Sequence, residues 1–361
     1  MRHWFIAAVV FLSACSGGGD TYRLGAAGPW TERYGVMNRR GIELALQQIN
    51  ADGGVRGRKL EIVMRDDEGS GEKAARIASE FVKDGSILAV IGHVNSGAMV
   101  AAAKVYDGHM PAVATTATSP DLTGVSPWVF RVISSDSTNG LDLARFSSAL
   151  GHRRAVILYE NNPYGRGLTN SFERNFAGDV LSADPISESG TQDFEPFVAY
   201  FRRVSPDVVF VAGTEQSGLA LLREARKQGF AGDFMGGDGW AGVVLDTALA
   251  DGAYVGSPFS AVDPRPEAQQ FVAAFRAKYG LTPDGNAALG YDATMLLAQA
   301  IEARGSDREG LRNWLAGLTA EQAHRGVTGP IRFGPDGDPI GKGFVMTQLR
   351  RGTLVVVENG L

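Results

Sequence analysis

Two loops and one acidic turn carry the residue types with which this 361-residue chain could grip a small charged molecule. The loops are Gly92-His-Val-Asn-Ser-Gly97 and Thr115-Thr-Ala-Thr-Ser119. Each follows a short apolar run and opens toward a helical pattern. The unpaired N–H groups at such a helix start carry about half a positive charge, so an anion such as a carboxylate fits there. Ser96, Thr116 and Thr118 can donate from their hydroxyls, and Gly97, Ala117 and Thr118 from the backbone. The same residues also make ordinary N-caps and turns. The acidic turn is Gly236-Gly-Asp-Gly-Trp240, where glycines on both sides of Asp238 let a ligand approach the backbone while the carboxylate faces a cleft. Asp-Gly is equally a common turn pair. Tyr164 opens a helical stretch after Asn161-Asn-Pro163, and Trp30, Tyr34 and Trp240 stand near the loops, so all four are candidates for the walls of a cleft or for packing. Thr214 and Glu215 follow a further strand pattern, where Glu215 would also suit the first turn of a helix.

Other chemistry has little to stand on. No Gly-x-Ser-x-Gly elbow, phosphate loop or dinucleotide fingerprint occurs, so neither catalysis nor a nucleotide cofactor is expected. Asp66-Asp67-Glu68 lacks the spacing of a calcium loop, and the His residues at 3, 93, 109, 152 and 324 lack zinc spacing, so no metal is expected. With 35 Lys and Arg against 40 Asp and Glu, the net charge of −5 offers no footprint for nucleic acid.

Positioning these loops requires alternating strands and helices. Leu60–Met64, Ile87–Ile91 and Pro111–Ala114 have strand character, the second apolar throughout as a doubly covered strand should be. Between them Ile42, Ala45, Leu46 and Ile49 form a helical stripe, as do Ala74, Ile77, Ala78 and Phe81, then Met99, Ala102, Ala103 and Tyr106. After the loop Ser134–Gly140 the pattern restarts, with strands at Ala155–Tyr159, Asp207–Ala212 and Asp233–Gly236 and helices near 164–176, 193–203 and 216–228. Helical stripes on Ala268, Phe271, Val272 and Phe275 and on Ala293, Leu296, Leu297 and Ala300 follow with no strand between them, and a hairpin closes the chain. Such alternation implies parallel sheets with crossover helices, an α/β fold built as two units.

The first residues have a separate use. Arg2 and His3, the apolar run Trp4–Leu12 and the small residues before Cys15 describe an export signal. Cys15 is the only cysteine, so no internal disulfide can form. Ser16-Gly-Gly-Gly-Asp20 has the composition of a flexible tether. Leu12-Ser-Ala-Cys15 resembles the lipobox of bacterial lipoproteins, which implies a signal peptide over 1–14, a lipidated Cys15 and a tether over 15–20.

Several stretches, taken in order, resemble the leucine/isoleucine/valine-binding proteins, the type I periplasmic solute-binding proteins that serve ABC importers. They are Gly25-Ala-Ala-Gly-Pro29, Tyr34-Gly35 with Ile49–Gly54, Gly57–Val63 with Asp66-Asp67, Val90–Val94 with Ser96, Thr115–Pro120, Asn162–Gly165 and Phe234–Gly239. The resemblance implies two doubly wound, Rossmann-like lobes joined by a three-segment hinge, lobe one at 21–138 plus 259–328 and lobe two at 139–258 plus 329–361. It implies an exported, membrane-anchored, monomeric receptor that holds an amino acid in its cleft for ABC permease subunits, by hinge closure and without catalysis. The ligand carboxylate would lie at Ser96-Gly97 and the 116–118 loop, its α-ammonium on Asp238, with Tyr164, Thr214 and Glu215 at family contact positions. A sensor of the same fold, or an amide, urea or aromatic-acid ligand, is the alternative. The family's branched-chain binder has a disulfide between two loops that here present Gly69 and Asn95, which leaves the ligand's side chain open.

Overall fold

The computed structural model describes residues 21–188 and 192–357; the expected signal peptide at 1–14, the tether at 15–20 and Cys15 lie outside the described residues. The first sheet is formed by β1 (Tyr22–Gly28), β2 (Leu60–Asp66), β3 (Ile87–Gly92), β4 (Ala112–Ala114) and β5 (Val129–Arg131). All its pairings are parallel, in the order β2-β1-β3-β4-β5. Helices α1 (Arg33–Ala51), α2 (Gly71–Lys83) and α3 (Ser96–Tyr106) make the crossovers. Local chemistry fits these elements. Every residue of β3 is buried, as a strand covered on both faces requires. Ser70 caps α2 by accepting the Lys73 N–H, with Glu72 in its first turn and Lys83 in its last complementing the helix dipole.

The chain then enters the second lobe through α4 (Asp136–Ala149), β6 (Arg154–Glu160), α5 (Pro163–Asn175), β7 (Asp179–Ile186), α6 (Glu195–Val204), β8 (Val208–Ala212), α7 (Glu215–Lys227) and β9 (Asp233–Gly236). A tight 3₁₀ stretch at Asp238–Leu245, the short α8 (Thr247–Ala250) and β10 (Tyr254–Ser257) complete that passage. It returns to the first lobe with α9 (Pro266–Tyr279), α10 (Gly285–Arg304), α11 (Arg308–Ala316) and the hairpin of β11 (His324–Gly326) and β12 (Gly329–Ile331). Finally β13 (Val345–Arg350) adds antiparallel to β10 and β14 (Thr353–Val356) antiparallel to β13, giving the second sheet the order β14-β13-β10-β9-β8-β6-β7. Each apolar cluster among the described residues draws on one lobe only: Leu24, Ile91 and Leu297 share one, Val156, Phe201 and Leu349 another.

Two expectations need correction. Of the stretch 134–140, residues 136–140 are the start of α4 and no loop: Ser135 Oγ accepts the Ser137 N–H, and Leu143, Ala144 and Phe146 pack in the second lobe, so that lobe begins near 136. The third passage falls near 341 instead of 329, because Ile331 and Phe333 sit in the first-lobe core and buried Arg131 holds Asp338 at 2.6 Å. Lys342 stands among all three hinge segments, donating to the Val132 carbonyl at 2.9 Å and to the Thr328 hydroxyl.

Candidate functional site

In a doubly wound sheet the strand order reverses at one point, and the chain ends on either side of it splay apart to leave a crevice. In the first lobe that point lies between β1 and β3, and in the second between β6 and β8. The carboxyl ends of both pairs line one cleft of about 580 Å³, within the size range of small-molecule sites. Tyr34 follows β1, Asn95 and Ser96 follow β3, Tyr164 follows β6 and Thr214 follows β8, while Asp238 follows the neighbouring β9. A second cavity of about 410 Å³, lined by Asp121, Arg166 and Arg174, lies along α5. The carboxyl ends of β1, β3 and β8 do not line it, so the interlobe cleft is the candidate site.

The first-lobe wall is built on the start of α3. Asn95 occupies the N-cap position, yet its side chain makes no capping bond; its Nδ2 donates to the Tyr34 hydroxyl at 2.9 Å. The first N–H groups of α3 are thus left uncapped by a side chain, and Gly97 lines the cleft beside them. Ser96 Oγ accepts the backbone N–H groups of Thr118 and Ser119, each at 3.1 Å, pinning the hydroxyl-rich loop to α3 and leaving the Ser96 proton free to donate. Thr116 lines the cleft, and its hydroxyl donates to the Val94 carbonyl at 2.9 Å. The structure does not bring Ala117 and Thr118 to the cleft: both are buried, and the Thr118 N–H is already given to Ser96.

On the second-lobe wall, Tyr164 Oη donates to Asp238 Oδ1 at 3.1 Å and accepts the Gly239 N–H at 3.1 Å. Burial pushes the Asp238 carboxyl up to about 6, against the pull of Tyr164 and of the neighbouring backbone N–H groups. Asp136, fully buried near Asp238, is raised well above the ordinary carboxylate range, first by burial and then by the Asp238 charge. The Asp238 charge thus favours the neutral form of Asp136, and Asp238 is the member of the pair that lines the cleft. Thr214 lines the cleft and donates its N–H and its hydroxyl to Glu160 Oε1 at 2.8 and 2.7 Å; the Ser217 hydroxyl adds a third bond at 2.9 Å. Glu160 therefore satisfies the start of α7, and burial raises its pKa despite these donors.

The aromatic candidates separate. Tyr34 and Tyr164 line the cleft. Trp240 is fully buried in the second-lobe core against Gly218 and Gly236, and Trp30 packs in the first-lobe core beside Gly28, so neither forms a wall. Glu215 is buried next to Gly242, 3.6 Å from Arg33 of the other lobe; desolvation raises it to about 7 against the opposing pull of Arg33. Sequence reasoning missed Glu160, Asn95 and Asp136. A charged residue ending an apolar strand was the signal for Glu160; nothing local marked Asp136. Among the described residues no group of three or more His, Cys, Asp or Glu could hold a metal ion.

The family profile described as "Periplasmic binding protein" matches residues 22–353. The chain belongs to that family. Among curated relatives, this binding protein is 29% identical over 344 residues to the leucine-, isoleucine-, valine-, threonine- and alanine-binding protein of Pseudomonas aeruginosa, covering 92% of this chain and 90% of the relative. Among solved structures, it is 35% identical to an ABC transporter substrate-binding protein from Desulfitobacterium hafniense in complex with Leu, with a TM-score of 0.80 over 93% of this chain and all of that one. It is 26% identical, with a TM-score of 0.86 over 94% of this chain and 100% of the other, to the branched-chain amino acid transporter substrate-binding protein LivJ from Streptococcus pneumoniae in complex with isoleucine. This binding protein is thus a type I, two-lobed α/β receptor of the leucine/isoleucine/valine-binding branch, a family of solute-binding proteins working outside the cytoplasm.

Proposed function

We propose that the protein captures an α-amino acid, branched-chain or related, between its lobes and hands it to an ABC permease without altering it. One observation carries this reading: the uncapped start of α3, with the free Ser96 proton, shares a cleft with the Asp238–Tyr164 pair of the other lobe. The first suits a carboxylate and the second an ammonium, so the cleft fits the two ends of a zwitterion. Gly97 and Thr116 complete the anion side and Thr214 the opposite rim. The relatives that bind leucine and isoleucine support the amino-acid class.

Titration calorimetry of the purified protein against the common amino acids, with benzoate beside them, tests the assignment. At least one α-amino acid should bind and lose its heat when its amine is acetylated. Binding of benzoate alone, or equal binding of acetylated and free amino acids, would overturn it. Within the same proposal the protein acts as a monomer, exported and tethered through lipid on Cys15. Labelled palmitate should enter the protein in cells and fail to enter a Cys15→Ser variant.

A further inference from the structure

Once the two ends of a zwitterion are seated on α3 and Asp238, the ligand's side chain must occupy the remainder of the cleft, and polar side chains make up part of that remainder. Its surface includes Glu32, Tyr34, Glu68, Asn95, Gln216 and Asn286. The aliphatic side chains on the cleft wall are those of Val94 and Pro163, and among the described residues no Lys, Arg or His lines it. Asn95 is the decisive group. Its Nδ2 is committed to Tyr34, while its Oδ1 is shielded from solvent and has no hydrogen-bond partner. An N-cap asparagine ordinarily spends this oxygen on its own helix; α3 leaves it unused. Tyr34 Oη already accepts from Asn95, Glu68 is paired with Lys73, and Glu32 Oε2 accepts from Gln216 at 2.8 Å, so Glu32 is held here by a neutral donor and not by a cation.

Resting on the amino-acid reading above, we infer that this end of the cleft selects an α-amino acid whose side chain ends in a hydrogen-bond donor, an amide, guanidinium or ammonium group, over the branched aliphatic side chains. A donor would satisfy the Asn95 oxygen, and a positive charge would in addition be drawn by Glu32. A leucine side chain would leave that already shielded oxygen without a partner, the kind of mismatch for which polar pockets favour donor-bearing ligands over apolar analogues.

The test is a calorimetric panel on the purified protein with arginine, lysine, glutamine, asparagine, leucine, isoleucine and glutamate as probes. At least one of the four donor-bearing amino acids should bind ten times or more tighter than leucine and isoleucine, with glutamate weaker still. Asn95→Leu should reduce that preference at least tenfold, chiefly by weakening the donor-bearing ligand. Glu32→Gln, a change at the partly exposed rim that keeps an oxygen able to accept from Gln216, should weaken a cationic ligand several-fold more than it weakens leucine. Tightest binding of leucine, isoleucine or glutamate would overturn the inference and leave the amino-acid function standing. So would an unaltered preference in both variants. Failure of every amino acid to bind, with benzoate binding, would remove the functional reading and this inference together.

Discussion

A carboxylate at a strand end, bound by a phenol and backed by a second buried carboxylate, has a proton affinity set by how poorly it is hydrated. For Asp238 that raises the pKa to about 6, with burial as the leading cause. An ammonium ligand needs the ionised form. Affinity should therefore be constant above about pH 7 and fall toward tenfold per unit as pH drops below 6, because protonation of Asp238 then competes with binding. Asp238→Asn should lose tenfold or more in affinity at pH 7.5 and show a flat profile over the same interval, a comparison that calorimetry at four or five pH values makes directly. An equally steep profile in the variant would assign the titration to another group. Glu160 illustrates the opposite use of a buried acid: three donors converge on Oε1, and the group fixes the Thr214 turn in place of touching solvent.

Glycines decide how closely helices can pass. A Cβ on Gly41 of α1 would strike the Ala287 carbonyl of α10, and one on Gly290 of α10 would strike the Asn38 carbonyl of α1. Backbone cannot yield as a side-chain tip does, so the two helices would have to separate. Gly41→Ala should cost about 2 kcal/mol or more in denaturant unfolding, within the range for overpacked interiors, whereas Gly85→Ala, where added carbon meets open space, should leave the midpoint nearly unchanged. The elements most visible in the sequence were those with one strong period, such as β3 and the stripe of α2. Those hidden were elements whose composition argues for something else. Ser135, Asp136, Ser137 and Asn139 look like a turn and instead start α4, since the same side chains that favour turns also cap helices. The strand β7 carries Pro185 and mostly exposed or half-exposed residues, as an edge position tolerates. The cleft was legible where glycines and hydroxyls follow strands. It was illegible where packing decides, as with Trp240, whose place in the core depends on the gaps left by Gly218 and Gly236.

Across the mouth of the cleft the lobes are joined by Gln216 donating to Glu32 at 2.8 Å and by Arg33 lying 3.6 Å from Glu215. Such contacts exist only when the lobes are together, so they favour the closed form over the open one, as a ligand gripped from both sides must also do. Arg33→Ala should speed ligand dissociation about threefold to tenfold while leaving association nearly unchanged, an effect scaled down for the partial exposure of the arginine. Adding Glu215→Gln should restore part of the loss, since the single variant strands a buried acid without its partner. Stopped-flow mixing with a fluorescent readout resolves the two rate constants, and a change confined to association would contradict a role in closure.

The threefold passage of the chain between lobes also governs the order in which the molecule can mature. The sheet of the first lobe is complete by Arg131, yet the helices that cover its far side, α10 and α11, leave the ribosome only after the whole of β6 to β10 has been made. The second sheet waits longer still for β13, which ends at Arg350. Neither half can finish until the chain beyond β10 has been made, and a product ended prematurely after β10 would carry two unfinished cores, open to proteases along both.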